Sequence, residues 1–169
     1  EPFLNGLARF APCKEYAAAF GARVFKISRD ARGERLTWLK VTGGALKVKT
    51  LLSGGEAGAE WAEKADQLRL YSGAKYKLTE QVAAGDICAV TGLEHTFAGQ
   101  GLGAEALAQT PMLEPVLTYR MQLPEAINIP ETLRKLRQLE EEDPLLHILW
   151  DQRLREVHVQ VMGEVQLEV

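Results

Sequence analysis

The sequence is poor in the features that mark secreted, membrane-spanning and disulfide-bonded chains. Its 169 residues include two cysteines, Cys13 and Cys88, and these form no CxxC motif. Cys88 lies within an apolar strand pattern, so we expect a reduced, buried thiol in an intracellular protein. No apolar run approaches the roughly 18 residues of a membrane span, and no signal peptide is visible. We therefore expect no membrane partner.

Common catalytic motifs are also missing. The sequence contains no GxxxxGK[ST], GxSxG or HExxH, the motifs of a phosphate cradle, a nucleophile elbow and a zinc site. Asp30–Gly33 matches the DxxG pattern of nucleotide switches, but without a phosphate loop upstream we interpret it as a coincidence in a hairpin turn. His147 and His158 can face each other across a strand hairpin, yet two imidazoles without a third ligand make a poor metal site. We predict no catalytic, cofactor-binding or metal-binding residue in this chain.

The charge is divided unevenly along a chain of globular composition, with 46% hydrophobic and 25% charged residues. The chain opens at Glu1 without an initiator methionine, as expected for a piece of a longer protein. Residues 1–109 carry 14 Lys and Arg against 12 Asp and Glu, whereas residues 110–169 carry 6 against 11. The acidic part includes the run Glu140–Asp143 at a predicted helix end, where it opposes the helix dipole. We interpret this run as a solvated end or a docking feature.

Residues 23–49 form a strongly basic segment. Eight Lys and Arg residues stand against two acids, Asp30 and Glu34, which leaves a local charge of +6. A charge of this size can engage a phosphate backbone. The alternative is a solvated hairpin face with no ligand.

Apolar spacing predicts a first unit made mostly of short strands. Residues 2–10 have a helical period that Pro12 ends, which indicates the last helix of a preceding unit. From about residue 23 the period becomes that of strands separated by charged or glycine-containing turns, and residues 53–63 indicate an exposed, glycine-rich loop. Several short strands at turn-marked intervals favour a small closed β-barrel over alternating βαβ units.

The pattern from residue 110 onward predicts a second, α+β unit. An extended run over residues 116–123 is followed by a helix that starts near Pro130 and ends at Asp143. The apolar stripe of this helix comprises Leu133, Leu136 and Leu139. Alternating apolar residues predict a hairpin over residues 146–161, and a second helix begins near Gly163. The order β, α, β, β, α is a ferredoxin-like split βαβ unit without its last strand.

Several strings, in this order, resemble the elongation factor G class of translational GTPases. Val24-Phe25-Lys26-Ile27 and Gly85-Asp86-Ile87 resemble strings of its barrel domain. Asp143-Pro144-Leu145-Leu146 and Gly163-Glu164-Val165-Gln166-Leu167-Glu168-Val169 resemble strings of its third domain, and are most similar to those of the tetracycline-resistance ribosomal protection proteins. Ala98–Gly103 departs from the string that elongation factor G has after its barrel.

This resemblance implies a division into three parts. Residues 1–22 would be the end of a GTP-binding domain and a linker, residues 23–109 a barrel like domain II, and residues 110–169 a truncated ferredoxin-like domain III. The parent would be a cytoplasmic GTPase that binds GTP and Mg²⁺ in a domain absent from these residues, and the fragment itself would be non-catalytic.

The resemblance also implies a ribosome-docking and relay role, with the barrel against small-subunit ribosomal RNA and the acidic third domain near a ribosomal protein. We expect a monomer. The alternatives are elongation factor G or a paralogue acting in translocation, and a free-standing RNA-binding β-barrel module. The residues that we expect to contact ribosomal RNA are Arg29, Arg32, Arg35, Lys47 and Lys49.

Overall fold

The computed structural model describes residues 2–11, 15–55, 60–105, 114–124 and 127–168. The chain packs around two separate apolar cores, one formed before residue 106 and one after residue 113. The predicted fold class, mainly β plus α+β, is confirmed. None of the described helices is long and apolar enough to cross a membrane.

Among the described residues, the first unit consists of one helix and ten strands. The elements are α1 (Pro2–Phe10), β1 (Gly21–Arg29), β2 (Arg35–Gly43), β3 (Ala45–Lys47), β4 (Leu51–Gly54), β5 (Trp61–Lys64), β6 (Leu68–Ser72), β7 (Lys75–Thr79), β8 (Gln81–Ala83), β9 (Ile87–Val90) and β10 (Gly101–Gly103). The predicted first helix is confirmed by α1, and its apolar side chains are exposed.

Six of these strands form one antiparallel sheet in the order β10-β1-β2-β9-β6-β7. The two-stranded sheets β3-β8 and β4-β5 cover the same core. All three sheets contribute fully or almost fully buried side chains, among them Leu39 on β2, Leu46 on β3, Leu52 on β4 and Leu68 on β6. Removal of these apolar side chains from water is the main force that holds the three sheets together.

The sheets stay open, whereas the sequence favoured a closed barrel. Within the described residues, the strands do not join into one closed ladder, and the ladder breaks where β2 turns into β3. Gly44 has a φ of +55°, and a Cβ on Gly43 would lie 2.4 Å from the carbonyl oxygen of Ala19. The Gly44 N–H donates to the carbonyl oxygen of Ala17 at 2.8 Å. The segment before β1 therefore lies against this bend, and the chain continues into a separate sheet.

The glycine-rich stretch at residues 53–63 is more than the loop we predicted. β4 and β5 form a hairpin across it, with Gly54 opposite Trp61, while residues 56–59 lie outside the described residues. Among the described residues of this hairpin, Leu52 is the one buried side chain. The apolar alternation that would have indicated two strands is therefore missing from the sequence.

Cys88 lies on β9 and is 1% exposed, in agreement with the predicted buried thiol. Burial, with a smaller effect from the charge of Asp86, raises the pKa of Cys88 to about 12. The thiol is therefore protonated at neutral pH and unreactive. Cys13 lies outside the described residues.

In the part of the chain that the structure describes, the second unit is a three-stranded antiparallel sheet with one long helix. Its elements are β11 (Leu117–Met121), α2 (Ile129–Glu142), β12 (His147–Asp151), β13 (Glu156–Val161) and α3 (Val165–Glu168). The strand order in the sheet is β11-β13-β12, and α2 connects the two outer strands along the chain. This is the predicted split βαβ arrangement. The predicted alternation is confirmed by the buried side chains of Val157, Val159 and Val161.

Helix α2 begins and ends as predicted, with Asp143 as its C-cap, but its apolar stripe differs near the C-terminus. The side-chain oxygen of Asn128 accepts a hydrogen bond from the backbone N–H of Glu131, and proline occupies the first turn. Leu133 and Leu136 pack on the sheet, but Leu139 is 52% exposed, so the predicted stripe is wrong at this end. Glu140 faces the sheet instead, where its carboxylate accepts from the N–H of Ile148 at 3.1 Å.

The two strand histidines are out of register with each other. His147 lies opposite Gln160, and His158 lies opposite Leu149, so the predicted facing pair is wrong by two residues along the hairpin. His158 Nε2 lies 3.3 Å from the Glu156 carboxylate. Among the described residues, no group of three or more His, Cys, Asp or Glu side chains converges on a metal position.

Candidate nucleic-acid interface

The basic segment forms the hairpin of β1 and β2 and continues through β3. Asp30 shapes the hairpin tip, because its Oδ1 accepts from the backbone N–H groups of Arg32 at 2.9 Å and Glu34 at 3.0 Å. Gly33 has a φ of +80°, in the left-handed region that glycine adopts without strain. The tip is therefore a well-defined turn, and Arg32 is exposed on it.

Arg69 of β6 pairs with both acids of the basic segment. Its side chain is 4% exposed, and its Nη atoms lie 3.0 Å from Asp30 Oδ2 and 2.5 Å from Glu34 Oε2. The hydrogen bond from Arg69 is the main cause of the lowered pKa of Asp30, and the two backbone N–H donors of the turn add to it. Because both acids are paired within the chain, they do little to cancel the charge of Arg32.

Three of the five predicted RNA-contacting residues are exposed, namely Arg32, Lys47 and Lys49. Lys47 lies on β3 opposite Gln81, in a different sheet from the hairpin tip. Lys49 Nζ lies 2.6 Å from Asp66 Oδ1 in a pair whose side chains are more than half exposed. Such pairs are weak and sensitive to salt, so Lys49 can exchange this partner for another anion.

Arg35 is directed into the protein and is 11% exposed. Its Nη1 donates to the carbonyl oxygen of Leu93 at 2.6 Å and to Thr96 Oγ1 at 2.9 Å. Its Nη2 donates to the carbonyl oxygen of Thr96 at 2.5 Å, and its Nε donates to Glu141 Oε2 at 3.1 Å. The geometry therefore favours a structural role for this arginine.

Arg29 and Arg35 join the two units through the end of α2. Glu141 Oε2 lies 3.3 Å from Arg29 Nη2 and 3.1 Å from Arg35 Nε, and Glu142 Oε1 lies 3.9 Å from Arg29 Nε. Acidic side chains are unfavourable at a helix C-terminus, and the two arginines offset that effect. The structure thus supports the docking interpretation of the acidic run. We call these four side chains the inter-unit cluster.

A groove that the sequence did not indicate lies beside the hairpin tip. Its volume is about 450 Å³, and it is lined by Trp38, Tyr71 and Tyr76. The ring centroids of Trp38 and Tyr71 are 4.8 Å apart, and those of Tyr71 and Tyr76 are 5.2 Å apart. The Arg69 guanidinium carbon lies 4.7 Å from the centroid of the Tyr76 ring, a cation–π distance. We call this feature the aromatic groove. Its three rings come from three different strands, so no continuous stretch of sequence predicts the groove. The one local feature of the sequence that indicates it is Tyr76 between two lysines.

The DxxG match at the hairpin tip does not fit a nucleotide or magnesium site. Both carboxylate oxygens of Asp30 are engaged, Oδ1 by two backbone N–H groups and Oδ2 by Arg69. Asp30 therefore holds a turn, as we interpreted from the sequence. Nothing in this stretch fits the GTP and Mg²⁺ that the resemblance implies for the parent.

Known proteins resemble the chain along nearly its whole length, although no protein-family model matches it. Elongation factor G 2 of Syntrophus aciditrophicus is 31% identical over 167 residues, which cover 96% of this chain and 24% of that protein. The chain is homologous to the elongation factor G class. Elongation factor 2 of Thermococcus onnurineus is 36% identical over 107 residues, 61% of this chain and 15% of that protein.

Two further similarities cover all or nearly all of this chain. Tetracycline resistance protein TetP of Clostridium perfringens is 25% identical over 173 residues, which cover 100% of this chain and 26% of that protein. A crystal structure of a Thermus thermophilus protein matches 99% of this chain with a TM-score of 0.70 at 23% identity, which shows a shared fold. The chain spans about a quarter or less of the length of these relatives.

Charge reversal tests whether the inter-unit cluster holds the two units together. Glu141→Lys places a cation beside Arg29 and Arg35, so we expect the two units to separate and the maximum dimension in small-angle X-ray scattering to grow. Glu131→Lys is the matched control, because Glu131 is similarly exposed on α2 and pairs with Lys135 of the same helix. An unchanged scattering profile for Glu141→Lys would show that the cluster does not hold the units together.

Proposed function

We propose that this chain is the ribosome-docking and relay part of a cytoplasmic translational GTPase of the elongation factor G class. The hairpin tip and Lys47 contact the ribose-phosphate backbone of small-subunit ribosomal RNA, and the acidic second unit lies near a basic ribosomal protein. Residues 1–22 belong to the end of a GTP-binding domain that supplies the GTP and Mg²⁺ chemistry. Residues 23–109 act as domain II, and residues 110–169 act as domain III.

The observation that carries this proposal is the arrangement of charge at the hairpin tip. Arg32 is exposed there, while Asp30 and Glu34 are held by Arg69 beneath it. An arginine without competing carboxylates can donate to phosphate oxygens, a contact that positions a protein on RNA without reading its sequence. Arg29 and Arg35 serve the relay, because they connect the tip to α2. A change in nucleotide state elsewhere could then alter the angle between the units as a hinge motion.

The parent resembles the tetracycline-resistance branch, and that is the branch we propose. The similarity to TetP extends over the full chain, and the Asp143–Leu146 string resembles the corresponding string of the resistance branch. The second candidate is translocation, which the higher identity to elongation factor G 2 favours. Growth on tetracycline of cells that express the complete gene distinguishes these two activities.

Binding to isolated small ribosomal subunits tests the docking contact. We expect affinity to fall steeply with salt, because each phosphate contact releases condensed counterions. Arg32→Glu and Lys47→Glu should each weaken binding roughly tenfold at low salt and make the salt dependence shallower by about one contact. Arg153→Glu makes the same charge change at an exposed arginine of the acidic second unit and should have little effect. Salt-insensitive binding, or equal effects of all three variants, would refute the contact.

A further inference from the structure

We propose that the aromatic groove binds one unpaired base of single-stranded RNA, stacked on Tyr76. This inference rests on the proposed docking to ribosomal RNA and adds a base contact to the backbone contacts described above. Aromatic side chains accept any base in this way, because every base has a π-face. RNA sites of this kind occur in loops and bulges, where unstacked bases are available.

The rings are both accessible and fixed. Tyr76 is 49% exposed, and Tyr71 and Trp38 are half-buried behind it. The Trp38 ring is held by a hydrogen bond of 2.8 Å from its Nε1 to Ser28 Oγ. The Tyr76 ring rests against the Arg69 guanidinium. A platform that is ordered before binding loses little conformational entropy when a base stacks on it.

Two residues that line the groove, Trp38 and Arg69, are brought close together by the sheet register. Ala89 on β9 lies between Trp38 of β2 and Arg69 of β6, and it pairs with both. The groove volume of about 450 Å³ is within the range of about 300–1,000 Å³ typical of small-ligand sites.

The charge around the rings favours a phosphate-linked ligand. Arg29 and Arg32 line the groove on the hairpin side, and the Arg69 guanidinium lies against the Tyr76 ring. The nearby Asp30 and Glu34 are paired with Arg69. Aromatic rings beside cations that follow a backbone are the combination found in sites for single-stranded nucleic acids.

A pair of matched RNA strands tests the inference. The chain is titrated with a fluorescent single strand of eight nucleotides and with a strand of the same length that lacks its bases. We expect the complete strand to bind about tenfold more tightly than the abasic strand. Tyr76→Leu should remove this difference, and Tyr76→Phe, which keeps the ring, should retain it. Phe25→Leu is the control, since Phe25 is 48% exposed on β1 outside the groove.

The outcomes separate the groove from the backbone contact. The proposed base site would be overturned by any of three results. These are equal binding of both strands by the wild-type chain, a retained difference in affinity in Tyr76→Leu, and no binding of either strand. Arg32→Glu should weaken the binding of both strands by the same factor, because Arg32 contacts phosphates and both strands carry them. If Arg32→Glu changes neither strand and also leaves binding to small subunits unchanged, the docking proposal fails.

Discussion

Replacing Arg35 by alanine is expected to lower the free energy of unfolding of the first unit by about 3–5 kcal/mol. The guanidinium is 11% exposed and donates to Leu93, Thr96 and Thr37 within this unit. Thr37 and Thr96 are almost fully buried, and their hydroxyl groups also bond to each other at 2.8 Å. Alanine would therefore leave one of these hydroxyl oxygens and the carbonyl oxygens of Leu93 and Thr96 without the donor that Arg35 supplies. Each unsatisfied buried group costs about 1–3 kcal/mol.

Urea unfolding of the wild-type chain and of two arginine variants measures this effect. Arg32→Ala removes an exposed arginine of the same hairpin and should stay within about 0.5 kcal/mol of wild type. Arg35→Lys should fall between wild type and Arg35→Ala, because an ammonium group cannot reproduce the fork of donors. If Arg35→Ala unfolds at the wild-type urea concentration, the structural role assigned to Arg35 is wrong.

This stability effect bears on how RNA binding can be tested. A charge reversal at Arg35 would weaken binding by unfolding the hairpin, even if Arg35 never meets a phosphate. Arg32 is the informative position, because its side chain has solvent around it and its loss leaves the fold intact. RNA contact by Arg29, Arg35 and Lys49 stays a prediction, and Arg29 and Arg35 already have partners on α2.

Features with a local period were predictable from the sequence. Val157, Val159 and Val161 alternate with polar residues, and Asn128 with Pro130 marks the start of α2, so the order of elements in the second unit was correct. In the first unit, β10 was not predicted, because the short strand Gly101–Gly103 contains two glycines and has little strand propensity. The predicted closed barrel was not found either. The ladder breaks at the bend around Gly44, and this bend depends on packing by residues that lie outside the strands.

The candidate site depended on contacts between residues far apart in the chain. The sequence identified a basic segment correctly, but it could not show that Glu141 lies beside Arg35, 106 residues away. Nor could it place Trp38, Tyr71 and Tyr76 around one groove, since a strand pattern gives the face of a residue and not its neighbours two strands away. For the same reason the pairing of Arg69 with the hairpin tip was not predicted, because in the sequence Arg69 is one charged residue in an apolar strand.

Arg69→Met is expected to lower the free energy of unfolding of the first unit by about 3 kcal/mol at neutral pH. Methionine keeps most of the apolar volume, but it leaves Asp30, Glu34 and the side-chain oxygen of Gln67 without their shared donor. Burial alone would lower the pKa of Arg69, and its hydrogen bonds to Asp30 and Glu34 outweigh that effect and raise it. We place the loss of unfolding free energy at the lower end of the range for breaking buried ion pairs, because Glu34 is 44% exposed.

The loss of stability caused by Arg69→Met should depend on pH, and the carboxyl group of Asp30 determines the direction of this dependence. The pKa of Asp30 is lowered in the folded chain, chiefly by Arg69, so its contribution to stability is present above the ordinary value of about 4. This contribution disappears as the pH falls through the lowered folded pKa, because the folded chain must then take up the proton. The difference between wild type and Arg69→Met should therefore be largest near pH 7 and shrink below pH 4.

A double-mutant cycle with Asp30→Asn isolates the contact between Asp30 and Arg69. The double variant should lose less stability than the sum of the two single variants, because each single change already breaks the pair. Asp66→Asn is the control, since it breaks an exposed pair with Lys49 and should be additive with Arg69→Met. Additive losses for Asp30→Asn and Arg69→Met would contradict the pairing. They would also remove the reason for regarding Arg32 as free of competing carboxylates, on which the proposed phosphate contact depends.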